Sequence, residues 1–393
     1  MRILLVANYE PDGQQSMRRY AAWLERMLNA RGHQVTISRP QPFFSRLSPR
    51  SGLGKYLGYL DKFVLFPPRL RRLARGHDLV HILDHSNSMY LGAVRRLPNL
   101  ITCHDVLAIR AARGDFPDYP TGWPGRLLQK WILSGLRRAR HIVCVSAKTA
   151  ADLKALSGEA GATVRVIPNA LNWNYSAVAA MPAELAGRLH LDSGVPYLVH
   201  VGGNQWYKNR AGAVRIFAHL IRYAEFAGAK LLLAGKPWTA ALRIVVREEG
   251  LADRAIEAEG LSNEDLQALL SHAAALLYPS LEEGFGWPII EAQACGCPVI
   301  TTCRPPMSEV AGAAAILIDP ADPAAAAGVI AIGLNRRDEL RAAGSRNVER
   351  YRESGIAPQY CALYEEIVAA GTVAQPAGLG SAAVPARSSP PDR

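Results

Sequence analysis

Short runs of apolar and β-branched residues alternate along the chain with longer segments in which apolar residues recur at helical spacing. This alternation is typical of parallel sheets covered by helices. Twelve of the short runs predict strands, six in each half of the chain. They are residues 3–7, 34–38, 79–83, 100–104, 142–146 and 164–168, then 197–202, 230–234, 256–259, 275–278, 298–301 and 315–318. The pattern therefore predicts an α/β protein with two doubly wound sheets.

The length of the chain indicates two domains. Its 393 residues exceed the size, roughly 250–300 residues, at which a single hydrophobic core stops growing. Residues 176–194 carry Ala and Pro with little strand pattern, so the linker is predicted there. The domains are then residues 1–180 and 181–352, with a cleft between them. A last helix is predicted over 358–369, and residues 371–393, rich in Ala, Gly, Pro and Ser, predict a disordered tail.

The net charge of +11 favours an anionic partner, and nucleic acid, an acidic membrane surface or a nucleotide diphosphate would each fit. Nucleic acid is the weakest of these, because the basic residues do not follow a recognition motif. The chain has neither a signal-peptide pattern at its start nor an apolar run of about 18 residues, so a cytoplasmic protein is expected. Most of the six cysteines lie in apolar runs, which indicates buried, reduced thiols.

The most informative segment is EGFGWPIIEAQACGCPVI, residues 283–300, where a strand is followed by a Gly-bearing loop and then by a helix that begins near Pro288. Glu283 and Glu291 are eight positions apart and can face the same crevice. A carboxylate can accept two hydrogen bonds from a sugar diol. The amides of residues 284–287 form a helix N-terminus, which suits a diphosphate. For an isolated pair of glutamates, the alternative is a helix cap and surface charge.

Other candidates follow predicted strands, where ligands bind in doubly wound sheets. His104 and Asp105 follow one strand, although a hydrogen-bonded core histidine is an equal alternative from position alone. Lys208 follows another strand and would point into the crevice rather than lie on the surface. Asp84 and His85 are expected on the acceptor side of the cleft. Although histidines recur at 77, 81 and 85, the segment is predicted as a strand, whose alternating side chains disfavour a metal site.

The run EGFGWPIIEAxACGCPVI closely resembles the paired-glutamate motif of glycosyltransferase family 4. ITCHDV, SAKTAADL, VRVIPNALN and GLSNEDLQALLSHAAALLYPS resemble other landmarks of that family, so the resemblance extends from the first strand to about residue 370. It implies the GT-B fold, in which two Rossmann-like domains face each other across a cleft, with a C-terminal helix, residues 353–370, packing back on the first domain. It also implies transfer of a sugar with retention of configuration.

The resemblance also implies roles for individual residues. Glu291 would hold the nucleotide ribose and Glu283 the hydroxyls of the donor sugar. Backbone amides of the loop, at Gly284, Phe285 and Gly286, would contact sugar and phosphate. His104 would lie beside the donor sugar.

Two positions depart from the family pattern. Gly203 stands where relatives usually carry an Arg before the phosphate-binding Lys, which Lys208 matches. Lys208, aided by Arg210 or by amides around Gly203, would then balance the diphosphate charge. The opening loop reads Gly13-Gln14-Gln15 without the usual paired glycines. The sequence also has no D-x-D triplet, so we expect neither a metal ion nor a cofactor besides the nucleotide sugar.

These observations predict a glycosyltransferase that uses a GDP- or UDP-linked sugar and a glycan or lipid-linked acceptor in envelope polysaccharide synthesis. A GT-B-fold sugar phosphorylase or epimerase and a degenerate sugar-binding protein are the alternatives, the last because of Gly203. Residues 39–75 carry nine basic residues, Arg39 and eight scattered after it, with interleaved aromatics and one acid, Asp61. This segment predicts peripheral contact with the anionic inner face of the cytoplasmic membrane. Its alternative is a helix, residues 56–66, that packs on the sheet with its basic residues solvated.

Overall fold

The computed structural model describes residues 1–47, 52–158 and 161–373. All twelve predicted strands are present, in two parallel six-stranded sheets. The first sheet has the order β2-β1-β3-β4-β5-β6 and the second the order β12-β11-β10-β7-β8-β9. The strands are β1 (Arg2–Val6), β2 (Gln34–Ser38), β3 (Leu79–Ile82), β4 (Asn99–Cys103), β5 (His141–Cys144), β6 (Thr163–Val166), β7 (Tyr197–Gly202), β8 (Lys230–Gly235), β9 (Ala255–Glu259), β10 (Ala275–Tyr278), β11 (Val299–Thr302) and β12 (Ala315–Ile318).

Helices cover the two faces of each sheet, which confirms the predicted α/β architecture. They are α1 (Gln15–Ala30), α2 (Gly52–Leu60), α3 (Phe66–Ala74), α4 (Leu91–Val94), α5 (Leu107–Arg113), α6 (Trp123–Leu136), α7 (Ala147–Ser157), α8 (Ala183–Arg188), α9 (Arg210–Leu220), α10 (Ala240–Glu248), α11 (Asn263–His272), α12 (Trp287–Ala294), α13 (Met307–Ala311), α14 (Pro323–Gly333), α15 (Arg337–Val348) and α16 (Glu353–Val373). Because both faces are covered, inner strands such as β3, β10 and β11 are buried along their whole length.

The sequence explains which helix faces are buried. In α1 the buried residues lie at the three- and four-residue spacing of one helix face and are Tyr20, Ala21, Trp23, Leu24, Met27 and Leu28. Between the predicted domains, α8 lies inside the segment 176–194, and its Leu185 packs into the core under the second sheet. The segment is therefore partly helical, because burial of Leu185 stabilises a turn that its composition did not indicate.

The last helix packs against the first sheet. Tyr360 and Tyr364 of α16 are buried, and their hydroxyls lie 2.8 Å from the Tyr20 hydroxyl and 2.6 Å from Nδ1 of His81 respectively. His81 Nε2 in turn lies 2.7 Å from the Thr102 hydroxyl. This polar network joins α16 to α1, β3 and β4, so that the chain returns to its first domain after completing the second.

Two predicted boundaries near this helix and near residue 60 need correction. Helix α16 extends to Val373, so residues 371–373 are helical and not part of the tail, because the helix has a surface to pack against. The remainder of the predicted tail, 374–393, lies outside the described residues. The predicted helix 56–66 is divided into α2, a π-helical segment Asp61–Leu65 and α3. The carboxylate of Asp61, the first residue of the π-helical segment, is buried and accepts hydrogen bonds from the backbone amides of Phe44 and Ser45.

Candidate active site

Lys208, Glu283 and Tyr278 form a compact polar cluster at the carboxyl ends of two neighbouring strands. Lys208 follows β7 in a short 3-10 turn, and Glu283 follows β10, which pairs with β7. Lys208 Nζ lies 2.7 and 2.9 Å from the two carboxylate oxygens of Glu283 and donates to the Tyr278 hydroxyl at 3.0 Å. The Tyr278 hydroxyl donates to Glu283 at 2.6 Å, and burial raises the pKa of Tyr278 well above its usual value. The cluster thus holds one positive and one negative charge in the crevice.

Glu291 lies in α12, almost fully buried. Burial raises the pKa of its carboxyl group to about 7, although Arg19 and Lys208 act in the opposite direction. Arg19 is on α1 of the first domain, so the electrostatic surroundings of Glu291 include residues from both sides of the cleft. A buried carboxyl group that titrates near neutrality is a feature of functional sites more often than of cores.

The loop between the two glutamates passes very close to the first domain. A Cβ atom on Gly284 would lie 1.8 Å from the carbonyl oxygen of His104, so no larger residue fits there. The Gly284 carbonyl accepts from the hydroxyls of Ser146 at 2.7 Å and Thr149 at 3.1 Å. Gly286 precedes α12 with φ of 102°, in the left-handed region that favours glycine. Phe285 is buried beside Trp287 and Tyr351, which fixes the loop from the other side.

His104 follows β4 and faces this loop from the first domain. Burial lowers the pKa of the imidazole, which is therefore neutral at pH 7. Its Nε2 lies 2.9 Å from the carbonyl oxygen of Leu83, so Nε2 carries the proton, and Nδ1 is left as an acceptor. Within the described part of the chain, Nδ1 has no hydrogen-bond partner despite being buried. An acceptor of this kind can receive a hydrogen bond from a sugar hydroxyl.

Arg210 and Gly203, two further predicted phosphate-binding positions, lie outside the cluster of Lys208, Glu283 and Tyr278. The Arg210 guanidinium is buried and donates to the carbonyl oxygens of Lys236 at 2.8 Å and Leu233 at 3.3 Å, and to Asn204 at 2.6 Å. These bonds use both terminal nitrogens to hold the loop after β7 against the end of β8. Gly203 lies in that loop, where a Cβ atom would meet only the Gln205 side chain closely. The phosphate roles of Arg210 and of the amide at Gly203 stay predictions.

The acceptor-side candidates lie where β1 and β3 end side by side. Asp84 is buried and accepts from Asn8 Nδ2 at 2.6 Å and from the Ser86 amide at 2.8 Å. His85 Nδ1 lies 3.3 Å from the same carboxylate. The acceptor-side role of Asp84 and His85 stays a prediction. Sequence reasoning did not single out Asn8 as their partner, although its position two residues after β1 could have indicated it.

Sequence reasoning did not single out Arg19, which lies on helix α1, or Tyr278, the last residue of β10. Tyr278 could have been recognised as a polar residue at the end of a predicted strand, shortly before the glutamate motif. Arg19 reaches the site only because the two domains lie against each other.

Several contacts hold the two sides of the cleft together. Tyr119 of the first domain stacks on Trp206 of the second, with ring centroids 4.4 Å apart and planes 9° from parallel. Arg110 lies 3.1 Å from Glu282, and the Ala147 amide donates to Glu309 at 3.1 Å. Together with the bond from Ser146 to Gly284, these contacts bring His104 opposite the loop that carries Glu283.

Two family models match consecutive parts of the chain. The model "Glycosyltransferase Family 4" matches residues 17–174, and "Glycosyl transferases group 1" matches residues 184–350. The chain belongs to glycosyltransferase family 4 and has the GT-B architecture. Among its curated relatives, the O-antigen chain mannosyltransferase B of Escherichia coli is 25% identical over 70% of this chain and 72% of that protein. The MMP alpha-(1->4)-mannosyltransferase of Mycolicibacterium hassiacum is 36% identical, but over only 32% of each chain.

Solved structures support the same fold. A sucrose-phosphate synthase from Thermosynechococcus elongatus superposes with a TM-score of 0.75 at 21% identity, over 94% of this chain and all of that one. Anabaena HepE in complex with UDP-glucose superposes with a TM-score of 0.69 at 17% identity, over 93% of this family 4 chain and all of that one. At these identities the likeness extends to the fold alone.

Proposed function

We propose that the protein is a retaining glycosyltransferase that moves a sugar from a GDP- or UDP-linked donor to a glycan or lipid-linked acceptor in envelope polysaccharide synthesis. The observation that carries this proposal is the contact of Lys208 with Glu283 at the strand ends, with His104 facing their loop from the other domain. Mannosyltransferases of O-antigen chains among the relatives, and a structural neighbour with UDP-glucose, support the class of donor and acceptor.

Each group has a chemical task in this reaction. The Lys208 ammonium group neutralises the diphosphate, together with the amides at the start of α12. Glu291 accepts hydrogen bonds from the ribose diol, and Glu283 from hydroxyls of the donor sugar. His104 Nδ1 accepts from a further sugar hydroxyl. When the donor binds, Lys208 shifts from Glu283 to phosphate, which frees Glu283 for the sugar.

The transfer itself needs no protein nucleophile. The bond from the anomeric carbon to the phosphate oxygen breaks, and the acceptor oxygen bonds to the same face of that carbon. The acceptor proton passes to the departing phosphate oxygen, so a nucleoside diphosphate and a retained glycoside are the products. Because Lys208 and amides supply the positive charge, and because the sequence lacks a D-x-D triplet, we propose that no metal ion takes part.

We place this reaction in the cytoplasm, at the inner face of the cytoplasmic membrane. No helix in the described ranges is both long and apolar enough to span a bilayer.

The test is incubation with a panel of nucleotide sugars, with and without glycan acceptors, in which nucleoside diphosphate release and the anomeric configuration of the product are measured. Acceptor-stimulated release with a retained anomer is expected. The Lys208→Ala variant should lose about a hundredfold in turnover, whereas Lys230→Ala, at the opposite end of the second sheet, should not. Release only with inorganic phosphate would indicate a phosphorylase, and binding without release would indicate a sugar-binding protein.

A further inference from the structure

An apolar stripe lies on the outer surface of the first domain. In α6, Trp123, Leu127 and Trp131 are spaced by four residues and are 73%, 55% and 42% exposed. Leu60 and Val64, at the end of α2 and in the π-helical segment, are 41% and 57% exposed. The Phe63 and Trp131 rings are in contact at 4.9 Å, so the two segments are neighbours. We call these five residues, Leu60, Val64, Trp123, Leu127 and Trp131, the apolar stripe.

The helix that carries most of the apolar stripe, α6, and the helix that follows the π-helical segment, α3, contain basic residues and no acidic residue. Arg126 and Lys130 are exposed on the same face of α6, which contains no acidic residue. Arg69, Arg71 and Arg72 are exposed on α3. The one acid of residues 39–75, Asp61, is buried and bonded to Tyr9 and to two backbone amides, so it does not offset these charges. In the described part of residues 39–75, two basic residues are paired with acids, Lys62 with Asp12 and Arg39 with Glu10.

The apolar stripe lies close to the mouth of the cleft. Trp123 begins α6 directly after the loop that carries Tyr119, and Tyr119 stacks on Trp206, two residues before Lys208. At the other end, Lys62 bonds to Asp12 in the loop after β1, beside Asn8 of the acceptor-side cluster. A surface that binds along the apolar stripe would therefore meet the open edge of the site.

We propose that the apolar stripe, with the basic residues around it, docks on an anionic lipid bilayer, and that the acceptor is an amphiphile drawn from that bilayer. The amphiphilic nature of the acceptor rests on the proposed transferase function. Exposed Trp and Leu on one helix face with Arg and Lys alongside are the composition of helices that lie in the membrane interface, where Trp sits at headgroup level. The charge complements anionic lipid and does not favour a second copy of this basic chain.

The experiment is co-sedimentation of the full chain with phosphatidylglycerol-containing vesicles and with neutral phosphatidylcholine vesicles, across a salt series. The test variant is Trp123→Glu with Leu127→Glu. The matched control is Val329→Glu with Ile332→Glu on α14 of the other domain, where the native residues are 46% and 73% exposed. We expect the test variant to bind anionic vesicles about tenfold or more weakly and the control to bind as the wild type does. Arg126→Glu with Lys130→Glu should remove most of the salt-sensitive part of binding.

Three results would overturn the proposal: equal loss in test and control variants, equal binding to both vesicle types, or a wild-type dimer that the test variant converts to monomer. The last would identify a second copy as the occupant. Donor turnover with a soluble acceptor, measured without vesicles on the same samples, separates the two claims. If the wild type binds vesicles but shows no turnover, the transferase function is wrong and the docking surface stands. If it shows turnover but does not bind vesicles, only the docking surface is wrong.

Discussion

At the scale of single residues, the two glutamates of one motif, Glu283 and Glu291, have different electrostatic surroundings. Glu283 receives donors from Lys208 and Tyr278, which compensate its burial. Glu291 is buried, and because the charges of Arg19 and Lys208 offset burial only in part, its pKa is raised to about 7. Such a group costs stability whenever it is ionised, which indicates that its position serves binding and not folding.

This difference predicts a pH-dependent stability effect. Because burial raises the folded-state pKa of Glu291 from 4.5 to about 7, the carboxyl is neutral in the folded protein at pH 5. Between pH 4.5 and about 7 the unfolded chain loses this proton while the folded protein keeps it, so the stability of the fold falls across that range and levels off above it. We therefore expect Glu291→Gln to be more stable than wild type by up to about 3 kcal/mol at pH 8, with little difference at pH 4. Thermal unfolding at pH 4 to 8 measures this, with exposed Glu248→Gln of α10 as control. A pH-independent difference would be inconsistent with this pKa.

At the scale of elements, the loop before α12 is fixed by its approach to β4. Gly284→Ala should separate the domains, because its Cβ atom cannot share space with the His104 carbonyl. Since two backbones meet there, neither can yield by a side-chain rotation. We expect at least a hundredfold loss of turnover, by analogy with loss of a positioned catalytic contact, roughly 3 kcal/mol, together with a larger radius of gyration in solution scattering. Gly92→Ala, which meets nothing within 4 Å, is the control. Unchanged activity in Gly284→Ala would show that this approach is dispensable.

The elements also show how far sequence reasoning reaches. Strands such as β3 and β10 were predictable, because residues buried on both faces form continuous apolar runs. Positions at strand ends, such as Lys208 and His104, followed from the same pattern. The ends of α16 and the π-helical segment after Leu60 were not predictable from the sequence. They depend on the packing of Tyr360 and on the burial of Asp61, which are contacts between residues far apart in the chain. The bonds of Arg210 to the carbonyl oxygens of Leu233 and Lys236 could not be predicted for the same reason.

At the scale of the whole molecule, the site exists only when the domains meet. The Tyr119–Trp206 stack crosses the cleft at a partly solvent-exposed position, because Tyr119 is nearly half exposed. It can open and close more readily than buried contacts such as Ser146 with Gly284, so it is suited to admit substrates.

Trp206→Ala should therefore loosen closure while leaving each domain folded. Stacked aromatic pairs contribute about 0.5–1.5 kcal/mol, so we expect a several-fold rise in the donor KM and a larger share of donor hydrolysed by water instead of transferred. Product analysis with a soluble acceptor measures the ratio. Trp238→Ala, which removes a Trp that contacts Arg243 within the second domain, serves as control. If Trp206→Ala leaves both KM and the hydrolysis ratio unchanged, the stack has no part in closure.

The central claim is that Lys208 holds the diphosphate and Glu291 the ribose of a nucleotide sugar, without a metal ion. The most direct measurement is isothermal titration of wild type, Lys208→Ala and Glu291→Gln with GDP and UDP, and with guanosine and uridine, in EDTA. We expect one of the two nucleoside diphosphates, GDP or UDP, to bind to the wild type in the presence of EDTA. Lys208→Ala should lose affinity for that diphosphate by about tenfold or more but keep its affinity for the nucleoside, whereas Glu291→Gln should lose both. The claim would be contradicted if diphosphate binding required magnesium, or if Lys208→Ala lost affinity equally for the diphosphate and for the nucleoside.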